Sequence, residues 1–475
     1  MQIRYGDVRT WVIAAFALLA PAMAAAATGG ALTPEQRVAI AATVADYAER
    51  VHAPGISVYI DRGGAEVYAE GFGVADAEHA VAVTPDTVFA IGSITKAFTA
   101  HAVLQLVAAG KIDPEATIGH YLTDYTGPGA RVRVRELLDH TSGIPNYVNE
   151  VAGLQLRRSN GDRASMLATF AALPLAFEPG SQWSYTNSGY YLLGLLVERV
   201  SGQSYYDYIE EHITRPLGLA SVSSGDDRQI VANRARGYEV GAHGLENAAP
   251  WHYLVPFSAG SLLATAGDIA RYRRAVFRSD AVDPKVRALI LTSHPLADGT
   301  PNQYLWGALI KSDFGGVTKY AHSGEIWGFA AAHAYYPDPD LTIAVLTNRK
   351  AELISAVSLE RKIARIVLGL PGPPPPQTPT ARDLERVAGV YAIGPVRFAT
   401  PEVEFVARGG QLYLGFGRGE PAAALLPLVA RGNGRFTLAP DDEWVFEFGA
   451  PGKDGRFSAL SIDVLNGRIQ GRRLP

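Results

Sequence analysis

Ser93 and Lys96 stand three residues apart, at the head of an apolar stretch, Ala97–Ala109, that Gly110 stops. Ser-x-x-Lys occurs once in the chain. Three residues is close to one helical turn, so the spacing predicts both side chains on one face of a helix start. That pairing suits covalent catalysis. A serine hydroxyl is a weak nucleophile until a neighbour takes its proton, and a desolvated lysine can do so. A helix start also brings partial positive charge to the place where an oxyanion would develop. The spacing alone equally suits a capping serine beside a solvated lysine. The setting argues for chemistry, because a lysine one turn into so apolar a helix is costly unless it is paired.

Two further constellations hold residues of the right kind. Tyr-x-Asn occurs at Tyr147/Asn149 and at Tyr185/Asn187. The second lies in the polar loop Glu178–Tyr190, ahead of an apolar helix from Tyr191 to Val197. His322-Ser323-Gly324-Glu325 precedes a predicted hairpin of Phe329–Tyr336, a Pro-Asp-Pro-Asp turn and Leu341–Leu346. Trp183, Tyr190 and Trp327 offer aromatic walls for a pocket or, equally in type, core packing. His140 reads as structural and Asp139 as a local cap or pair.

The elements that must position these residues are legible. Thr33-Pro34-Glu35-Gln36 is a capping box with proline at the first helical position, so a helix opens there and ends before Pro54-Gly55. Ile56–Ile60 and Ala65–Gly71 read as an antiparallel hairpin, and Arg131–Arg135 as an exposed strand or loop edge. The stretch 371–380 is Pro-rich and favours an extended, semi-rigid linker. Beyond it, Val403–Val406, Gln411–Gly415, Arg435–Leu438, Trp444–Phe448 and Ala459–Val464 are short strand-like runs, which predict a small all-β unit. The boundaries are then 1–27, 28–370, 371–380 and 381–475.

Composition excludes several chemistries. The 475 residues carry a net charge of −4 and no cysteine. No basic footprint marks a nucleic-acid partner. Disulfides, thiol nucleophiles and cysteine-held metals are out, and the 11 histidines lack metal-site spacing, so neither a metal nor another cofactor is expected. Arg4 and Arg9, the apolar run Trp11–Ala20 and the Ala-rich stretch to Ala27 read as a secretory signal peptide. A periplasmic or secreted protein with no membrane anchor after cleavage is expected, and oligomeric state is left open.

Together the three motifs resemble the serine β-lactamase and penicillin-binding protein superfamily, in its class C-like branch. The resemblance runs from about residue 35 to 368. It includes Leu137-Leu138-Asp139-His140-Thr141-Ser142-Gly143-Ile144-Pro145 and Ala259-Gly260-Ser261-Leu262-Leu263-Ala264-Thr265-Ala266-Gly267-Asp268. It implies an α/β fold of α+β type: an antiparallel sheet flanked by helices, a helical subdomain, and here a lipocalin-like C-terminal β-barrel. It implies Ser93 as nucleophile, Lys96 as its activator, and Tyr185 as base and proton shuttle. Substrate contacts fall to Asn187, His322, Ser323, Gly324, Glu325 and Tyr147, with an oxyanion hole from the Ser93 N–H and one near Glu325. The expected substrate is a small-molecule or short-peptide ester or amide, including D-amino-acid peptides. The alternatives are a β-lactamase or D-alanyl-D-alanine carboxypeptidase, and a non-catalytic peptide- or cell-wall-binding protein. His322 stands where class C β-lactamases carry lysine. A histidine with an ordinary pKa is cationic only part of the time, which disfavours the β-lactamase reading and predicts an ionisation between about pH 5 and 8.

Overall fold

The computed structural model describes residues 30–149, 162–393, 402–421, 424–449, 451–452, 455–464 and 467–474. The expected signal peptide lies outside them. No helix among the described residues is long and apolar enough to cross a membrane.

Helix α1, Pro34–Val51, starts as its sequence requires. Thr33 Oγ1 accepts from the Gln36 N–H, and the Gln36 side chain accepts from the Thr33 N–H. It ends on His52 in the left-handed region, just before Pro54. The hairpin follows as β1, Gly55–Arg62, and β2, Ala65–Asp76, with β3, Val81–Ala82, at its edge. The short β4, Phe89–Ala90, leads through a 3₁₀ turn, Gly92–Ile94, into α2, Thr95–Ala108. After the helical region come β5, Ser223–Ser224; β6, Tyr238–Gly241; β7, Gly244–Asn247; and β8, Leu262–Ala264. Then follow β9, Tyr304–Leu305; β10, Leu309–Phe314; β11, Val317–Ile326; β12, Phe329–Tyr336; and β13, Leu341–Thr347.

The main antiparallel sheet runs β3-β2-β1-β13-β12-β11-β10-β9, so the early hairpin and the late strands of residues 30–370 meet where β1 pairs β13. Strands β1, β12 and β13 are buried along their whole length, because helices cover both faces. Ile56, Val58 and Ile60 point to one side, against Ile40 and Val44 of α1 and Leu359 and Ile363 of the helix Ala356–Leu368. Tyr59, Ala344 and Leu346 point to the other, against Ile269 and Ala270 of the helix Ala266–Arg278. The strand period of two thus divides two cores. On the second side α2 is buried around most of its circumference and packs against the helix Asn187–Ser201. Of the exposed strand or loop edge expected over Arg131–Arg135, Arg131 and Arg133 are exposed in a 3₁₀ turn and the short link after it, but Val134 opens a short helix to Leu138, because Val134, Leu137 and Leu138 are buried at helical spacing.

The Pro-rich stretch has no regular structure. Its ends are tied by Arg365 Nη1 donating to Pro371 O and the Gln377 N–H donating to Ala430 O. A closed antiparallel barrel of β14, Gly389–Ile393; β15, Glu402–Arg408; β16, Gln411–Gly415; β17, Leu426–Gly432; β18, Arg435–Leu438; β19, Val445–Phe448; β20, Ala459–Val464; and β21, Gly467–Arg473, ends the chain. Its interior is packed with Tyr391, Phe405, Phe446 and Phe448, whose rings meet edge to face at 5.0–5.8 Å. Leu384 and Val387 of the helix Ala381–Val387 complete that core.

Candidate active site

Ser93 occupies the 3₁₀ turn at the head of α2, half-buried, and Lys96 lies one turn on with no exposure. Lys96 Nζ donates to Ser93 Oγ at 3.1 Å, to Asn187 Oδ1 at 2.7 Å and to the Ala259 carbonyl at 2.7 Å. A buried ammonium needs such partners, and these three oxygens supply them. Nζ also lies 4.9 Å from the centroid of the Tyr185 ring and 5.5 Å from that of Tyr190. The lysine of the first motif therefore sits against both residues of the second.

Asn187 begins the helix Asn187–Ser201, which Thr186 caps. Its backbone and side-chain N–H groups donate to Asn146 Oδ1 at 3.2 and 3.3 Å. Asn146 was not singled out from sequence. Its signal is its place directly after the His-Thr-Ser-Gly-Ile-Pro loop. Tyr185 is held by His140. The Ser184 N–H donates to the His140 carbonyl at 2.9 Å, and the Thr186 N–H donates to His140 Nδ1 at 3.2 Å. His140 is fully buried, in the left-handed region at φ 62°, with its ring 4.3 Å from that of Tyr185. It pins the backbone on both sides of the tyrosine.

Strand β11 closes the site from the opposite wall. A Cβ on Gly324 would lie 1.9 Å from the Ile91 carbonyl and 2.9 Å from the Ser93 nitrogen. One on Gly92 would lie 2.7 Å from the Glu325 nitrogen. Only glycine at these positions lets the strand touch the 3₁₀ turn of Ser93, and the contact brings the Ser93 and Glu325 backbones together. The Glu325 side chain is exposed and points to Lys350 at 3.5 Å. Ser323 is nearly buried. His322 is 2% exposed; its Nδ1 lies 2.6 Å from the Ser323 carbonyl and its Nε2 lies 3.0 Å from the Tyr304 hydroxyl. Tyr304 was also missed, for it belongs to no motif.

Tyr147 corrects the sequence reading. It is 2% exposed, its hydroxyl donates to the Val255 carbonyl at 2.9 Å, and its ring packs near Phe170 and Tyr191. Its apolar ring is worth more inside the core than at a wet cleft, so it supports the wall from behind. Tyr190 is likewise core, with its hydroxyl on the Leu138 carbonyl. Trp327 does line a cavity. About 440 Å³ is bounded by Ala90, Trp251, Leu263, Trp327 and Phe329, with Asp227, Arg234 and Arg236 also lining it. Ala90 and Trp327 continue the two segments that carry Ser93 and Glu325.

The described residues bring one group of carboxylate and imidazole atoms within metal-ligating distance, Asp76, Glu78 and His79. Arg236 already pairs with Asp76 at 3.1 Å and Glu78 at 3.8 Å, so its charge opposes a bound cation.

Residues 40–368 match the model of the Beta-lactamase family. Protein flp of Staphylococcus aureus (strain MW2) is 27% identical over 318 residues, covering 64% of this chain and 62% of its own length. The serine beta-lactamase-like protein LACTB, mitochondrial, of Homo sapiens is 28% identical over 302 residues, covering 48% and 54%. The chain thus spans about three-fifths of the first of these relatives and about half of the second. Among solved structures, the octameric penicillin-binding protein homologue from Pyrococcus abyssi superposes with a TM-score of 0.62 at 24% identity, over 91% of this chain and 99% of that one. A D-amino acid amidase from Ochrobactrum anthropi SV3, complexed with D-phenylalanine, does so at 0.62 and 22%, over 70% and 99%. These structures share the fold. With its Ser-x-x-Lys, Tyr-x-Asn and His-Ser-Gly motifs gathered around one serine, and with the family match spanning residues 40–368, this chain belongs to the beta-lactamase family of serine hydrolases.

Proposed function

We propose that the protein is an exported serine acyl hydrolase that cleaves an ester or amide through an acyl-enzyme on Ser93. One observation carries this reading: a fully buried lysine amine 3.1 Å from the serine hydroxyl, in a family of serine hydrolases. The two other hydrogen bonds of Lys96 hold the amine still, so the hydroxyl proton has a fixed acceptor once the amine has lost its own. Tyr185, pinned by His140, is the second base at the same cluster. The Ser93 oxygen attacks the substrate carbonyl, whose oxygen is received by the N–H groups of Ser93 and Glu325. Collapse of the tetrahedral species expels the alcohol or amine, which takes the proton. Water then attacks the acyl-enzyme by the same route in reverse.

The cavity beside Trp251 and Trp327 accommodates an apolar or aromatic acyl side chain. D-amino-acid amides and peptides are included in the proposed range, in keeping with the fold shared with D-amino acid amidase. Export rests on the basic and apolar start of the sequence. The test is covalent. A fluorophosphonate should add one adduct mass to the intact protein, and Ser93→Ala should abolish the adduct. Labelling that persists in Ser93→Ala removes the nucleophile assignment, and absence of labelling by both a fluorophosphonate and a penicillin favours a binding protein. Turnover of a chromogenic cephalosporin at rates rivalling simple esters would replace the reading with a β-lactamase.

A further inference from the structure

Beneath His322 lies a buried line of polar groups that the acyl-enzyme chemistry does not use. Arg273, on the helix Ala266–Arg278, is 1% exposed. Its Nε and Nη1 have no hydrogen-bond partner among the described residues, and its Nη2 donates to His333 Nε2 at 3.3 Å. Burial lowers the Arg273 guanidinium only to about 10, so it is a cation at neutral pH. Two histidines facing it are held neutral. His101 of α2 is pushed down to about 4 by burial and by Arg273, and His333 well below the ordinary range by burial, then by Arg273, His322 and Lys319.

His333 stands directly opposite His322 in the β11–β12 ladder. His322 is therefore the next imidazole in this line, almost as buried as its partner. Its own hydrogen bonds define its proton. A carbonyl oxygen only accepts, so the 2.6 Å contact to Ser323 O places a hydrogen on Nδ1. Nε2 then faces the Tyr304 hydroxyl, which has Tyr190 as a second hydrogen-bond partner and can donate to Nε2. A second proton on Nε2 would turn that donor away and add a buried charge on the side where Arg273 and, through its action on His333, Lys319 already lie. Lys319 is paired with Glu360 at 2.5 Å. On the site side stand His140, 4.6 Å from the Tyr304 ring, together with Tyr185 and Tyr190; Asp139 lies beyond Tyr190. Glu325, on the same strand, is exposed and turned to Lys350.

We propose that His322 serves the site as a neutral, Nδ1-protonated imidazole, and that Tyr304 is the positioning residue that keeps it so by donating to Nε2. This rests on the acyl-hydrolase reading and narrows its substrates. A lysine at this place would hold a carboxylate; a neutral imidazole favours esters and amides that carry no carboxylate at that end. It also replaces the ionisation that the sequence alone predicts for His322 with a flat response.

The test reads the ring itself. Full-length protein with ¹⁵N-labelled histidine is titrated between about pH 5.5 and 8, and the His322 signals are assigned by their loss in His322→Gln. The expected result is the Nδ1-protonated neutral tautomer throughout. In Tyr304→Phe, His322 should take up its second proton within this range, and kcat/KM for an uncharged ester should gain a pH dependence of about fivefold or more. A wild-type His322 that protonates in this window overturns the proposal. So does a Tyr304→Phe variant in which the ring is unchanged. The spectrum does not depend on turnover, so these outcomes are distinct from loss of the Ser93 adduct, which would overturn the hydrolase reading instead.

Discussion

Lys96 shows how one side chain organises this site. The oxygens it donates to at Ser93, Asn187 and Ala259 come from separate segments: the 3₁₀ turn Gly92–Ile94, the helix Asn187–Ser201 and the short helix Phe257–Gly260. That Ser93 and Lys96 share one turn was legible from their spacing, since helix geometry is local, and the apolar stretch after them is what pointed to chemistry. Tyr185 needed the family resemblance, because Tyr-x-Asn occurs twice. Asn146 was legible by neither route. It acts by receiving two hydrogen bonds from Asn187, whose carbonyl oxygen faces Lys96. Asn146→Ala should therefore loosen the Lys96–Asn187 pair without touching Ser93. Removing hydrogen bonds of this kind costs about 1–1.5 kcal/mol, so we expect kcat to fall about tenfold with little change in KM, measured on an uncharged ester. An unchanged kcat would remove Asn146 from the positioning network.

At the scale of elements, two devices bring the motifs together: the close approach of β11 to the 3₁₀ turn, and the loop Asp139–Pro145 that grips the Tyr185 segment. The first depends on missing side chains. Gly324→Ala forces a Cβ to within 1.9 Å of the Ile91 carbonyl, so the strand must move away from Ser93. We expect a loss of more than about tenfold in acylation rate, measured by the pace of fluorophosphonate labelling, with the adduct still on Ser93. The second device carries a buried acid. Burial pushes the Asp139 carboxyl up to about 7, opposed by its hydrogen bond from Thr141. The folded protein thus keeps a proton that the unfolded chain gives up near pH 4. The stability due to this group is complete below about pH 4 and is lost as pH rises through 7. The swing is on the order of 4 kcal/mol. Urea midpoints taken at pH 5 and 8 should differ less in Asp139→Asn than in the wild type. An equal difference in both would show that Asp139 does not titrate in the folded state.

For the whole molecule, the barrel is fastened to the helix Ala356–Leu368 by charge. The turn between β18 and β19 sits on the helix Ala356–Leu368. Asp441 accepts from Ser358, Asp442 meets Lys362 at 2.9 Å, and Glu443 meets both Arg361 and Arg365 at 2.9 Å. Asp463 adds a 3.1 Å contact to Arg361. The other face of that helix packs on the sheet and, through Glu360, holds Lys319 of β11. The barrel therefore rests on the same helix that backs the third motif. Breaking a buried pair by removing one partner costs about 3–5 kcal/mol. Glu443→Gln leaves Arg361 and Arg365 without their shared carboxylate. We expect a lower thermal midpoint and faster proteolysis in the stretch 371–380, read by gel and mass spectrometry. Unaltered cleavage would mean that the barrel is held by something other than these pairs. Nothing local in the sequence marks this interface, because short charged runs such as Asp441-Asp442-Glu443 and Arg361-Lys362 carry no signal of which partner they meet.

The sequence by itself determined what is local or repeated at short range: the capping box of α1, the serine and lysine on one turn, the hairpin strands and the proline stretch. It also narrowed the chemistry available, since a chain without cysteine must do any covalent work with a nucleophile other than a thiol. Strands β14, β17 and β21 escaped it, because Gly389, Pro427 and the glycines and arginines of Gly467–Arg473 blur the alternation that marks a strand. The tertiary structure alone decided which residues face one another across long loops. Asn146 reaches Asn187, Tyr304 reaches His322, and Tyr147 turns inward. Periodicity reports only whether a face is apolar. Which polar groups meet on it depends on how separate segments of the chain are packed, and no short stretch of sequence encodes that.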